Sequence, residues 1–60
     1  MNIWYVVAKE DPKKEYGFTQ ITKKGDYFKS FEEANEERIY LQSDFKERLV
    51  VLKRTCEVIN

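Results

Sequence analysis

The stretch SFEEANEERIYLQ, residues 30–42, carries a start signal and a helical period together. Ser30 suits the position just before a helix: its hydroxyl can accept from the N–H of Glu33 while the Glu33 carboxylate reaches back to the Ser30 N–H, a capping box. Glu32 and Glu33 then fall in the first turn, where the helix dipole favours negative charge. Neither Gly nor Pro interrupts the run, so the spacing predicts a helix over 31–42. At about 100° per residue, Phe31, Ala34, Arg38, Leu41 and Phe45 share one arc, with Glu32, Glu33, Glu36 and Tyr40 broadly opposite. The prediction is an amphipathic helix.

Outward from this helix the chain reads as strands. IWYVVA (3–8) is β-branched and aromatic, with Ile3, Tyr5 and Val7 on one alternating face and Trp4, Val6 and Ala8 on the other. A run apolar on both faces suits a central strand covered on both sides. Asp11-Pro12 signals a turn, because proline's fixed φ fits the second turn position. YGFTQIT (16–22) reads as the return strand, with Gly17 as a bulge or a point of close approach, and KKGD (23–26) as a turn or bulge. RLVVLKRTCEVI (48–59) is open to two readings. As a strand it places Val50, Leu52, Cys56 and Val58 on one side; as a helix, Leu49, Leu52 and Cys56 continue the arc begun at Phe31. Its Val, Thr and Ile content favours the strand, with SDFKE (43–47) as the connecting loop. The expected architecture is α+β, a small β-β-α-β domain. A right-handed crossover then places the third strand beside the first, giving sheet order 2-1-3. One helix covers one face, and the other must meet solvent, another subunit or a ligand.

Sixty residues bound a single domain, 1–60, of marginal stability, since a chain this short buries only about 60% of its unfolded surface. With one cysteine and no histidine, neither an internal disulfide nor a good zinc site is expected, and no cofactor or metal is assigned. Self-association or a lasting partner is the remaining aid at this size. Eleven basic residues balance eleven acidic ones, unlike a strongly basic nucleic-acid binder. The charges lie unevenly: 1–30 holds six lysines and four acids, 31–60 five basic residues and seven acids. The longest apolar run, 3–8, is too short to cross a bilayer, so a soluble cytoplasmic protein with a reduced thiol is expected, with Cys56 as a small core residue.

Catalysis finds little support. The usual general base is missing, Ser30 is committed to a cap, and the pairs Glu32/Glu36 and Glu33/Glu37 lie on a solvated face. No catalytic residue is assigned.

KEYGFT (14–19) resembles the first ribonucleoprotein motif of cold-shock and RNA-recognition domains, in which a basic residue precedes aromatic-Gly-aromatic, and GDYF (25–28) resembles the aromatic-rich next strand of cold-shock proteins. That resemblance implies a base-stacking platform of Tyr16, Phe18, Tyr27 and Phe28, with Lys13, Lys14, Lys23 and Lys24 near phosphates. Glu15 stands where the motif has glycine, Lys29 and Ser30 break the histidine-bearing strand, and a capped acidic helix follows where a barrel needs strands. Single-stranded nucleic-acid binding is therefore the alternative rather than the preferred reading. The whole pattern, with SFEEA at 30–34, resembles short β-β-α-β accessory proteins of bacteria and phages. It implies no activity, and favours a regulatory binding module acting through protein–protein contacts, including homodimerisation.

Arg38 stands out within the apolar arc. Its helical neighbours Ala34, Asn35, Leu41 and Gln42 include no carboxylate. Either it snorkels to the edge of the apolar surface or it meets a partner's carboxylate or phosphate. Ile39 and Tyr40 lie off the arc, and with Arg38 they form the candidate partner-binding patch.

Overall fold

β1 (Asn2–Glu10) is the middle strand of a three-stranded sheet, flanked by β2 (Phe18–Gln20) and β3 (Leu49–Cys56), and α1 (Phe31–Gln42) packs against β1 and β3. The computed structural model describes residues 2–22 and 27–59. Both outer strands run antiparallel to β1, so β2 and β3 are parallel to each other and α1 is the crossover between them. The order β2-β1-β3 is the one predicted. Residues 23–26, read as a turn or bulge, lie outside the described residues.

Register fixes the faces. Val7 stands opposite Val51, Lys9 opposite Leu49, and Tyr5 opposite Lys53; on the other face Val6 meets Leu52, Ala8 meets Val50, and Trp4 meets Arg54. The first set faces α1. Phe31, the first helical residue, sets its ring edge-on to Tyr5 at 6.5 Å and 78°, and Val7, Leu49 and Ala34 are buried. Burying a side chain the size of valine or leucine is worth about 1.5–3 kcal/mol.

The opposite face is not left bare at its centre. Val6 retains 1% of its surface and Ala8 none. The chain stays bonded to β1 as far as Thr22 and is bonded to it again at Phe28, which exchanges two backbone hydrogen bonds with Tyr5 (2.8 and 2.9 Å). Ile21 and Thr22 both donate to the carbonyl of Val7, at 3.0 and 3.4 Å. Tyr27, one residue ahead of the return, leans on Trp4 at 6.3 Å between ring centroids.

Local readings differ from prediction in four places. Gly17 is not within a strand: it holds φ 78° at the end of the 11–17 turn, and the return strand is only Phe18–Gln20. The Asp11-Pro12 turn does form. Lys14 donates to the Asp11 carbonyl at 3.1 Å, and the Asp11 carboxylate accepts from Lys13 N–H (3.1 Å) and the Thr19 hydroxyl (2.8 Å). The helix cap forms by half. Ser30 Oγ accepts from Glu33 N–H at 3.3 Å, but the Glu33 carboxylate makes no return bond. The helix is also less deeply set than its arc implied: only Ala34 is fully buried, and Phe31 stays half exposed at the sheet's margin. Finally, Cys56 is exposed rather than in the core. It pairs with Asn2 at the end of the sheet, and β3 stops there, so Val58 lies beyond the strand.

Among the described residues no helix is long and apolar enough to cross a membrane.

Candidate functional site

Two surfaces stand out among the described residues: the outer edge of β3 with the groove beside it, and the rim of the sheet face opposite α1.

The edge follows from alternation. In an antiparallel ladder successive residues point their backbone groups to opposite sides. Tyr5 bonds across to Phe28 and Val7 accepts from Ile21, whereas Glu10 N–H bonds to the Arg48 carbonyl on the β3 side. In this register, even-numbered residues of β3 serve β1, and odd-numbered ones point outward. Leu49 shows where an outward N–H goes: it donates to Gln42 Oε1 at 2.9 Å, while Gln42 Nε2 donates to the Glu47 carbonyl at 2.9 Å. One side chain from the last turn of α1 thus stands in for a strand at the start of the edge. Beyond it, the outward N–H groups of Val51, Lys53 and Thr55 have no partner among the described residues.

Alongside this edge runs an open groove of about 280 Å³, lined by Phe31, Asn35, Arg38 and residues 48–51. Asn35 Oδ1 accepts from Arg38 Nε at 2.8 Å, which fixes the root of the guanidinium on the helix and leaves its terminal nitrogens free to face the groove. Two ion pairs form among the described residues, Lys9–Glu47 at 3.6 Å and Arg48–Glu10 at 3.5 Å. Arg38, Lys53 and Arg54 belong to neither.

The second surface carries Trp4 and Tyr27, in contact towards one end of β1, and Phe18 at the other end. Phe18 pairs with Glu10, which puts it on Trp4's side of the sheet; it is 38% exposed and Tyr27 58%.

The predicted patch of Arg38, Ile39 and Tyr40 is not gathered around one cavity. Arg38 is half-buried in the groove, while Ile39 and Tyr40 are exposed and outside its lining, Tyr40 by 75%. The predicted stacking platform is likewise divided. Phe18 and Tyr27 share the open face, Phe28 pairs with Tyr5 on the helix side, and Tyr16 stands exposed in the 11–17 turn with Lys13 and Lys14. Lys23 and Lys24 lie outside the described residues. Among the described residues no cluster of three or more Cys, Asp or Glu is placed to hold a metal ion.

Sequence reasoning missed Gln42, Asn35 and the open edge. The Asn35–Arg38 spacing of three was legible as a helical neighbour pair. The Gln42 role was not, because its partners lie beyond a loop whose path no local pattern specifies.

Among the described residues Asp11 has a carboxyl shifted by its surroundings. The Thr19 hydroxyl, and after it the Lys13 N–H, hold its carboxyl below the ordinary aspartate value of 3.8. The group closes a turn and is not part of the groove lining.

No protein-family model, curated protein sequence or solved structure matches the chain.

Proposed function

We propose that the protein is a non-enzymatic binding module that acts through protein–protein contacts and associates with itself through the sheet face opposite α1. The observation that carries this reading is the aromatic rim of half-buried Trp4 with exposed Phe18 and Tyr27, on a face whose centre, Val6 and Ala8, is already dry. An apolar rim around a closed centre adds little to the stability of the isolated fold. Against a second copy it supplies rigid aromatic contact area, the kind that dominates interface energetics. The balance of eleven cations and eleven anions gives no net repulsion between copies. A standard interface takes about 800 Å² from each partner, which is a sizeable share of the 5175 Å² surface. A dimer on this face therefore engages much of the sheet.

Sedimentation velocity from about 1 to 200 µM tests the reading. Expected is a monomer–dimer equilibrium that Phe18→Ser with Tyr27→Ser shifts to monomer while the circular dichroism spectrum is kept. A wild-type protein that stays monomeric throughout sinks it. The same rim also offers ring faces to unstacked bases, each worth about 1–3 kcal/mol when stacked. Fluorescence titration of Trp4 with a short single strand separates the two: tight, salt-sensitive quenching would replace the self-association reading by the nucleic-acid one.

A further inference from the structure

We infer that the outer edge of β3 is a binding site for an extended, acidic peptide segment, which adds as a fourth strand and sets a carboxylate on Arg38. The inference rests on the reading of the protein as a protein-binding module but not on its self-association.

Two independent features of the edge specify the ligand. The first is the backbone. The outward N–H groups of Val51, Lys53 and Thr55 repeat at the two-residue period of a strand, and Gln42 already satisfies the start of that row through Leu49. Alternating donors and acceptors at this spacing are matched by another extended peptide, which gains main-chain hydrogen bonds along its length. A nucleic-acid backbone presents phosphate acceptors and lacks amide donors at the two-residue period of a strand. The second feature is charge. Arg38, Lys53 and Arg54 flank the same row and have no carboxylate partner among the described residues. Arg38 is held in place by Asn35, so part of the cost of ordering its long side chain is already met by the fold. Its planar guanidinium suits two-point recognition of a carboxylate. The groove against Phe31 gives room for the side chain that carries it.

Charge also argues against a second β3 edge as the occupant. Edge-to-edge pairing of two copies would bring Lys53 and Arg54 of both chains to one seam. Like charges close together across strands are destabilising.

The probe is a fluorescein-labelled eight-residue peptide of alternating Val and Glu, read by anisotropy against the full chain. Expected is saturable binding that weakens as salt rises from about 50 to 500 mM, because exposed charge pairs are screened. Arg38→Met should weaken it about tenfold and leave the fold intact. Lys53→Pro should abolish it, since that N–H points out of the sheet and its loss leaves the β1–β3 ladder whole. If Lys53→Pro fails to fold, Lys53→Glu with Arg54→Glu takes its place. That pair should lose the Val–Glu peptide and gain an alternating Val–Lys one.

Failure of the Val–Glu peptide to bind at low salt overturns the inference. So does binding that all three variants leave unchanged, or a preference for oligothymidine over the peptide. A Lys53→Pro chain that loses its sedimentation dimer would assign the edge to self-association instead. Monomeric wild-type protein that still binds the peptide refutes the proposed dimer and leaves the edge site standing.

Discussion

Replacing Gln42 should cost more than its half-buried position at a helix end suggests. Its amide makes two good bonds, accepting from Leu49 N–H and donating to the Glu47 carbonyl, both at 2.9 Å, with a third contact to the Phe45 carbonyl at 3.5 Å. A net contribution of about 0.5–1.5 kcal/mol for each of the two short bonds gives about 1–3 kcal/mol lost on Gln42→Ala. The upper half of that range is expected, because Leu49 is buried and its N–H has nowhere else to turn. A domain of 60 residues has about 3–9 kcal/mol of stability in total, so the change is large in proportion. Gln42→Met separates hydrogen bonding from packing: it keeps the volume and should lose nearly as much. Gln42→Glu retains the acceptor for Leu49 but sets a carboxylate beside the Glu47 carbonyl, and should fall between wild type and Ala. Urea denaturation followed by Trp4 fluorescence gives the stabilities, and amide exchange at Leu49 gives the local reading. A Gln42→Ala chain within about 0.5 kcal/mol of wild type, with Leu49 still protected, would refute the view that this side chain anchors the loop and starts the edge.

The other predictions are smaller. Ser30→Ala should destabilise by about 0.5–2 kcal/mol through loss of the Glu33 N–H acceptor, whereas Glu33→Ala should cost only the few tenths owed to the helix dipole, since its side chain makes no return bond; equal effects in urea melts would restore the full capping box. Asp11 has a lowered folded pKa, so in acid the unfolded state binds more protons and stability falls as pH drops from the ordinary aspartate value through the folded one. Thr19→Val should raise the Asp11 pKa in a carboxyl NMR titration and flatten that dependence, and an unmoved titration would rule out the Thr19 hydroxyl as the main cause. Cys56 is exposed and should react with a thiol reagent at the same rate in native buffer and in denaturant; strong protection in native buffer would return it to a buried position.

What could be read locally was read correctly where a single element sufficed. The helix at 31–42 rests on one cap and one uninterrupted run, and both survive in the structure. The order β2-β1-β3 followed from the crossover connection alone. Errors arose where two distant segments share a decision. Cys56 continues the alternation of β3, but whether a strand residue is covered depends on how far α1 reaches, and the sheet runs past it. Gly17 looked like a strand residue because the turn that needs its positive φ is held by Asp11 and Lys14, neither adjacent to it. The two-faced apolar run of β1 was legible, yet what closes its second face was not. The return at Phe28 was not legible either, because it pairs with Tyr5 from the far side of the 11–17 turn and β2.

Arg38 shows how a residue awkward within its own helix becomes intelligible against the sheet. In sequence it interrupts an apolar arc and meets no carboxylate three or four residues away on either side. In the fold its helix lies along an edge strand whose next cations, Lys53 and Arg54, are also unpaired among the described residues. A neutral chain has enough acids to neutralise all three, but Glu32, Glu33 and Glu36 face solvent on α1, and Glu10 and Glu47 are engaged elsewhere. The separation of charge is therefore a property of the fold rather than of the composition. It acts in two ways on one edge. Exposed edge strands invite pairing with any other strand, and flanking cations are one means of preventing it. Here those cations make a second copy unwelcome and an acidic strand welcome, so the same side chains restrain aggregation and select the partner. Removing them tests both effects at once. Arg38→Met with Lys53→Thr and Arg54→Thr should abolish binding of the Val–Glu peptide and, at high protein concentration, allow edge-to-edge assembly that the wild type resists. A triple variant that stays as soluble as wild type and still binds the acidic peptide would show that charge has no part in how this edge chooses.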